Sequence, residues 1–226
     1  LANSLGLRVL ELPTNPVTGI DPDALRRVLP QINVCLLISN FNNPLGSCMP
    51  DEHKKAIVNM LTEHDIPLIE DDLYGDIFFG NSRPKPCKAF DKEGIVLWCG
   101  AVSKTLAPGY RVGWIAPGRF KEAIHLISTP TLNQEAVANF MENDRYENHL
   151  RKLRRELCAN SIHFAHSIME HFPENTKIVT PQGGFMLWVE LDKRIDTTEL
   201  YYRAMQRKIS IAPGRMFTLQ EQYTNC

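Results

Sequence analysis

The chain has 226 residues, with 25 Lys and Arg against 26 Asp and Glu for a net charge of -1, and it is 43% hydrophobic and 23% charged. That composition excludes a disordered tail, a collagen-like repeat and a small disulfide scaffold, and it suits a globular chain of one large domain or one and a half. The near-zero charge gives no global attraction to nucleic acid or to an anionic membrane.

LRVLELP (7–13) reads as a strand. Asp21 is placed to cap a helix over PDALRRVLPQ, with Pro22 at its first position. VCLLISN (34–40) is a continuous apolar run of the kind found in a strand buried on both faces. In DEHKKAIVNMLTEHD (51–65), Ile57, Met60, Leu61 and His64 share one side at helix spacing. IPLIEDD, IVLWCG (95–100) and VGWIAP (112–117) are three further strands, and GRFKEAIHLI starts a helix. Strands alternating with helices predict a mostly parallel sheet with helices on both faces.

The pattern then changes. LNQEAVANFMEN and residues 145–172 read as helical, the latter with Leu150, Leu153, Leu157, Phe164 and Ile168 as its apolar stripe. KIVTP, GGFMLWVEL, a helix over DTTELYYRAMQRK and ISIAPG follow as a small α+β unit. The expected division is residues 1–144 as the large domain and 145–226 as a linking helix with the small domain. The first residues lack an initiator Met and the last lack a cap, so the chain is expected to be a piece of a longer protein.

None of the six cysteines forms a C-x-x-C pair, so neither a zinc site nor a redox motif is supported, and reduced thiols in the cytoplasm are expected. No apolar stretch approaches the roughly 18 residues that span a bilayer. His163, His166 and His171 have no acidic or thiol partner at matching spacing, so no metal is expected. The basic residues Arg145, Arg151, Lys152, Arg154 and Arg155 are diluted by Glu142, Asp144, Glu147 and Glu156 and read as a solvated helix face.

In open parallel sheets, ligands sit beyond the carboxyl ends of the strands. Asn43-Pro44-Leu45-Gly46 follows the run at 34–40, and Asp71-Asp72-Leu73-Tyr74 follows IPLIE. Ser103-Lys104, with Arg111 seven residues beyond the lysine, follows IVLWCG. Three strand ends thus deliver an amide, a carboxylate with a phenol, and a lysine with an arginine. Each alone has an ordinary reading: a structural turn, a solvated acidic patch, a surface lysine. A calcium site at Glu70-Asp71-Asp72 is poorly supported, because only Asp76 lies nearby as a further ligand.

The order and spacing together resemble the fold-type I pyridoxal-phosphate enzymes, specifically the class I/II aminotransferases. PQGGFMLWVEL and ISIAPGRMF are similar to the small-domain strands of that family, so the resemblance runs along essentially the whole chain. DDLYGDIFFG, the Arg83-Pro84-Lys85-Pro86 stretch, SKTLAPGYRVGW and RYENHLRKLRR most resemble the aminotransferase-like domains of GntR/MocR-type transcription regulators. The resemblance implies pyridoxal 5'-phosphate as cofactor and Lys104 as the Schiff-base lysine. It implies Asp71 at the pyridine nitrogen, Tyr74 and Asn43 at the ring 3' oxygen, and Ser103 and Arg111 at the 5' phosphate. Amino acid and 2-oxo acid are then the substrates, and a homodimer the expected assembly.

The family's phosphate loop, its ring-stacking aromatic and its carboxylate-binding arginine have no counterpart in these residues. Ala101 stands where many members carry Ser, and the stretch from His125 to Pro130 is shorter than the family's connection. Three functions stay open. One is amino transfer; a second is effector sensing for a regulator, with an amine as signal and DNA bound through a domain absent from this chain. The third is another fold-type I reaction such as C–S lysis.

Overall fold

Asp21 starts the first helix as expected. Its carboxylate accepts from the Asp23 N–H at 3.0 Å, Pro22 opens α1 (Pro22–Val28), and a 3₁₀ turn over Leu29–Gln31 closes it. The computed structural model describes residues 5–124, 129–142 and 144–226. Before α1, β1 (Thr14–Asn15) and β2 (Gly19–Ile20) form a small antiparallel pair. The main sheet contains β3 (Cys35–Leu37), β4 (Leu68–Asp71), β5 (Val96–Ala101) and β6 (Gly113–Ala116) in that order. The first three are parallel and β6 runs antiparallel to β5.

Between β3 and β4, α2 (Asp51–Glu63) buries Ile57, Val58, Met60 and Leu61. These meet Leu25 of α1, Leu29 of the 3₁₀ turn after it, and Cys35, Leu37, Leu68 and Val96 of the sheet in one core. The expectation that 34–40 is buried on both faces is corrected. Only Cys35–Leu37 pair as strand, and Leu36, pointing away from α1 and α2, is 64% exposed. Nothing among the described residues covers that side of β3, so alternation replaces the continuous burial. LRVLELP is also corrected, because residues 7–13 pair with no strand. Glu11 is instead tied to the other end of the chain, accepting from the Thr218 hydroxyl at 2.6 Å and the Leu219 N–H at 2.7 Å.

After β6, residues 118–123 form a 3₁₀ segment, and the expected connection at 125–130 lies largely outside the described residues. α3 (Thr131–Met141) and the 27-residue α4 (Arg145–His171) follow. Leu150 is buried and Ile168, at the far end of the predicted stripe, is partly buried, whereas Phe164 between them is 61% exposed. β7 (Lys177–Ile178) and β8 (Val189–Glu190) form an antiparallel pair, and α5 (Thr197–Gln206) is capped by Asp196. ISIAPG forms no strand, because residues 209–213 find no partner, and a 3₁₀ turn over Gly214–Phe217 follows. All six cysteines are free. Among the described residues, no helix is long and apolar enough to cross a membrane.

The turn into β5 is held by one buried carboxylate. Asp91 accepts from the N–H groups of Gly94, Ile95 and Val96 at 2.8, 3.1 and 3.0 Å and from Lys88 Nζ at 2.8 Å. Burial pushes the Asp91 carboxyl up, but the lysine and the N–H groups outweigh it and hold the carboxyl below the ordinary range. Stability from a depressed carboxyl is present above its unfolded value and fades as pH falls through its folded value. Asp91→Asn is therefore expected to lower stability at pH 7 by about 2 kcal/mol. The difference should shrink below about pH 3.9, which urea unfolding at two pH values would read.

Candidate active site

The loop after β3 runs back through an unusual backbone. Phe41 has φ 52, a conformation unfavourable for a bulky side chain, and its ring is buried. Gly183 and Gly184 press against it. A Cβ at Gly183 would meet both the Phe41 ring and the Ile77 carbonyl, so only glycine fits the approach. The Gly184 N–H donates to Ile77 O at 2.7 Å and the Phe79 N–H to Gln182 O at 2.9 Å, docking segment 182–185 along 77–79.

That docking brings Phe185 beside the residues at the strand ends. Asn43 Nδ2 donates to the Tyr74 hydroxyl at 3.2 Å, while Asn43 Oδ1 is buried with no partner. Lys104 Nζ stands 5.8 Å from the Tyr74 ring centroid and 5.9 Å from that of Phe185. Tyr74 and Phe185 meet edge to face at 5.4 Å. Asp71 ends β4 on this side, half-buried, and accepts only a long bond from the Leu73 N–H, at 3.3 Å. Burial raises its carboxyl above the ordinary range and the neighbouring Asp72 adds to the rise, while the Leu73 N–H and the Lys104 charge oppose it.

Ser103 and Arg111 stand at the mouth of the β5–β6 ladder. That ladder pairs Ala101 with Gly113, and the Val102 N–H donates to Val112 O at 3.2 Å. Arg111 has φ 56 and closes the turn over Pro108–Tyr110, with no ion-pair partner among the described residues. Asn43, Tyr74 and Lys104 are therefore linked through their side chains, Asp71 lies close enough to feel the Lys104 charge, and Ser103 and Arg111 join them through the chain alone. Phe185 was not anticipated as part of this group. The Gly-Gly pair before it was the available signal, since such a pair permits close backbone approach.

The three consecutive acids separate completely. Glu70 is fully buried on the α2 side and accepts from Ser39 Oγ at 2.5 Å, the Cys87 N–H at 2.6 Å and the Lys88 N–H at 2.9 Å. Asp72 is also buried, and accepts from Asn40 Nδ2 at 2.9 Å, Trp98 Nε1 at 2.8 Å and Arg83 Nη2 at 2.6 Å. Lys54, buried as well, donates to Asn40 Oδ1 at 2.6 Å and to Lys85 O at 2.7 Å. The solvated-patch reading of Glu70-Asp71-Asp72 thus fails. Glu70 and Asp72 are each spent on three bonds that tie neighbouring segments together, whereas Asp71 accepts a single long one.

The family model for aminotransferase class I and II matches residues 2–224. The chain is 38% identical over 235 aligned residues to the HTH-type transcriptional regulator YjiR of Escherichia coli, covering 100% of this chain and 50% of the relative. It is 32% identical to the aminotransferase SSO0104 of Saccharolobus solfataricus, covering 88% of this chain and 53% of that one. The chain thus spans about half the length of the curated relatives it matches. Among solved structures, the multiple substrate aminotransferase of Thermococcus profundus superimposes with a TM-score of 0.86 at 26% identity, over 96% of this chain and 57% of that one. The α-aminoadipate aminotransferase LysN of Thermus thermophilus, solved with N-(5'-phosphopyridoxyl)-L-leucine, gives 0.85 at 27% identity, over 97% and 59%.

Proposed function

The chain belongs to the aminotransferase class I and II family, and on that premise we propose that Lys104, Asp71, Tyr74, Asn43, Ser103 and Arg111 hold pyridoxal 5'-phosphate. The domain then moves an amino group between an amino acid and a 2-oxo acid. The observation that carries this reading is the meeting of a primary amine, a phenol and a buried, unpartnered amide oxygen at one strand-end crevice, with a carboxylate beside them.

The residues fit the group. Asn43 Oδ1 is a buried acceptor without a donor, and Asp71 has open acceptor sites for an N–H such as a pyridinium presents. Arg111 carries a charged fork with no competing carboxylate among the described residues, which suits a phosphate. When bound, pyridoxal phosphate supplies an electron sink for the charge left on an amino acid's Cα as its proton departs. Asp71 would hold the ring nitrogen in its protonated form. The Tyr74 hydroxyl and Asn43 would fix the ring's tilt from its 3' oxygen. Lys104 would bind the cofactor and, once released, take the proton from Cα as a general base.

We further read residues 1–144 as the large cofactor-binding unit and 145–226 as the linking helix and small unit of a cytoplasmic homodimer. A second reading, effector sensing for a regulator, is favoured by the HTH-type names of relatives such as YjiR, half of whose length lies outside the match. In that case an amine is the signal, and DNA binding belongs to a part of the protein outside this chain.

One experiment separates the two readings. The full-length protein is titrated with pyridoxal phosphate, followed by absorbance, and then given single amino acids. A spectral change with release of 2-oxo acid supports amino transfer. A spectral change without product supports sensing, and no visible band at all contradicts the cofactor site.

A further inference from the structure

The turn that carries Lys104 is gripped from outside at its next residue. Thr105 is 2% exposed. The Tyr146 hydroxyl, from the first turn of α4, donates to Thr105 Oγ1 at 2.8 Å. His149, three residues on and so on the same helix face, places Nε2 2.8 Å from the Thr105 carbonyl. A carbonyl only accepts, so that nitrogen carries the proton. Phe140 of α3 packs edge-on against both rings, with centroids 6.3 and 6.1 Å away. α3 also reaches the far end of the same segment, where Asn133 Nδ2 donates to Tyr110 O at 2.8 Å, one residue before Arg111.

We propose that Tyr146 and His149 are positioning residues that set where the Lys104 amine is presented, acting through Thr105. The inference rests on the reading of Lys104 as the cofactor-bearing lysine. The turn moves as one piece, because the Leu106 and Ala107 N–H groups both donate to Val102 O, at 2.8 and 3.1 Å. Lys104 itself is exposed and has no hydrogen bond or ion pair among the described residues; its amine rests only loosely against the Tyr74 and Phe185 rings, at 5.8 and 5.9 Å. Its backbone position aims it, and the anchors nearest that position are the two bonds to Thr105. A misplacement of about 1 Å in a reacting group can lower a rate by about 10²-fold.

The test uses the full-length protein with pyridoxal phosphate and three variants. Tyr146→Phe removes only a hydroxyl, His149→Leu removes the ring donor, and His149→Gln keeps an N–H of similar reach. Tyr146→Phe and His149→Leu are each expected to lower kcat about tenfold, with KM for the amino donor changed less than about twofold. Both should shift the pH midpoint of the visible band and speed amide exchange at Leu106 and Ala107 about tenfold. His149→Gln should recover most of each effect. Unchanged exchange and an unchanged midpoint in both variants, with a normal wild-type band, would overturn the inference and leave the cofactor site standing. A wild-type protein with no Lys104-dependent band would overturn the cofactor site, and the inference with it.

Discussion

Lys104→Ala in the full-length protein is expected to lower amino transfer by about 10⁴-fold, or ~5.4 kcal/mol on the barrier, and to end covalent retention of pyridoxal phosphate. The size follows from what the site contains. Among the described residues, Lys104 carries the only primary amine against the Tyr74 and Phe185 rings. Lys54 and Lys85, two lysines of the network around Asn40, are engaged elsewhere: Lys54 Nζ donates to Asn40 and the Lys85 carbonyl, and Lys85 Nζ lies 3.6 Å from Asp51. Neither of these amines is therefore free to take over the proton at Cα that Lys104 is proposed to accept. Lys104→Arg is the control. It keeps the positive charge but cannot be deprotonated, so it should be as inactive as the alanine variant. An arginine variant with substantial turnover would show that Lys104 acts only as a charge. Folding should survive both changes, since Lys104 is exposed and holds no structural bond among the described residues.

Asp71→Asn is expected to move activity and stability in opposite directions. Activity should fall by roughly 10²–10⁴-fold, because the neutral amide cannot hold a ring nitrogen in its charged form. Stability at neutral pH should rise. Burial raises the Asp71 carboxyl, so the folded state resists its ionisation. A raised carboxyl favours the folded state only at low pH, and that advantage is lost as pH climbs from about 3.9 through the raised folded value. The asparagine variant avoids this loss and can still accept the Leu73 N–H. Its melting temperature should therefore exceed that of wild type at pH 7 and approach it at pH 3. Such a trade is expected where a charge is kept for function at a half-buried position. A variant both less stable and fully active would contradict the role given to Asp71.

The crevice residues were legible in the sequence for a simple reason. Asn43, Asp71, Tyr74 and Lys104 each lie at or just beyond the end of an apolar run, and a parallel sheet brings successive strand ends to one side, whereas Arg111 stands apart, just before β6. α2 was legible from its spacing and α1 from Asp21 and Pro22. What failed were judgements about partners. Residues 7–13 have strand composition but no neighbour to pair with, and Leu36 lies in an apolar run yet has nothing over it. Local pattern states what a segment can do; pairing decides what it does. The bracing network was hidden for the same reason. Asn40 meets Lys54 and Asp72 across 14 and 32 residues, and Arg83 meets Asp72 across 11. No fixed spacing announces such contacts. The acids at 70, 71 and 72 illustrate this best: as a string they look like one patch. Strand alternation sends Glu70 and Asp71 to opposite faces, and Asp72, past the strand end, turns back to Arg83 and Trp98.

Everything proposed for this site depends on the amine of Lys104 being the group that takes the cofactor. Borohydride reduction of the full-length protein with pyridoxal phosphate, followed by peptide mass mapping, tests it most directly. A single pyridoxyl-phosphate mass addition is expected on the peptide containing Lys104, absent from Lys104→Ala. The same mass on a peptide containing Lys54 or Lys85, or on none, would contradict it.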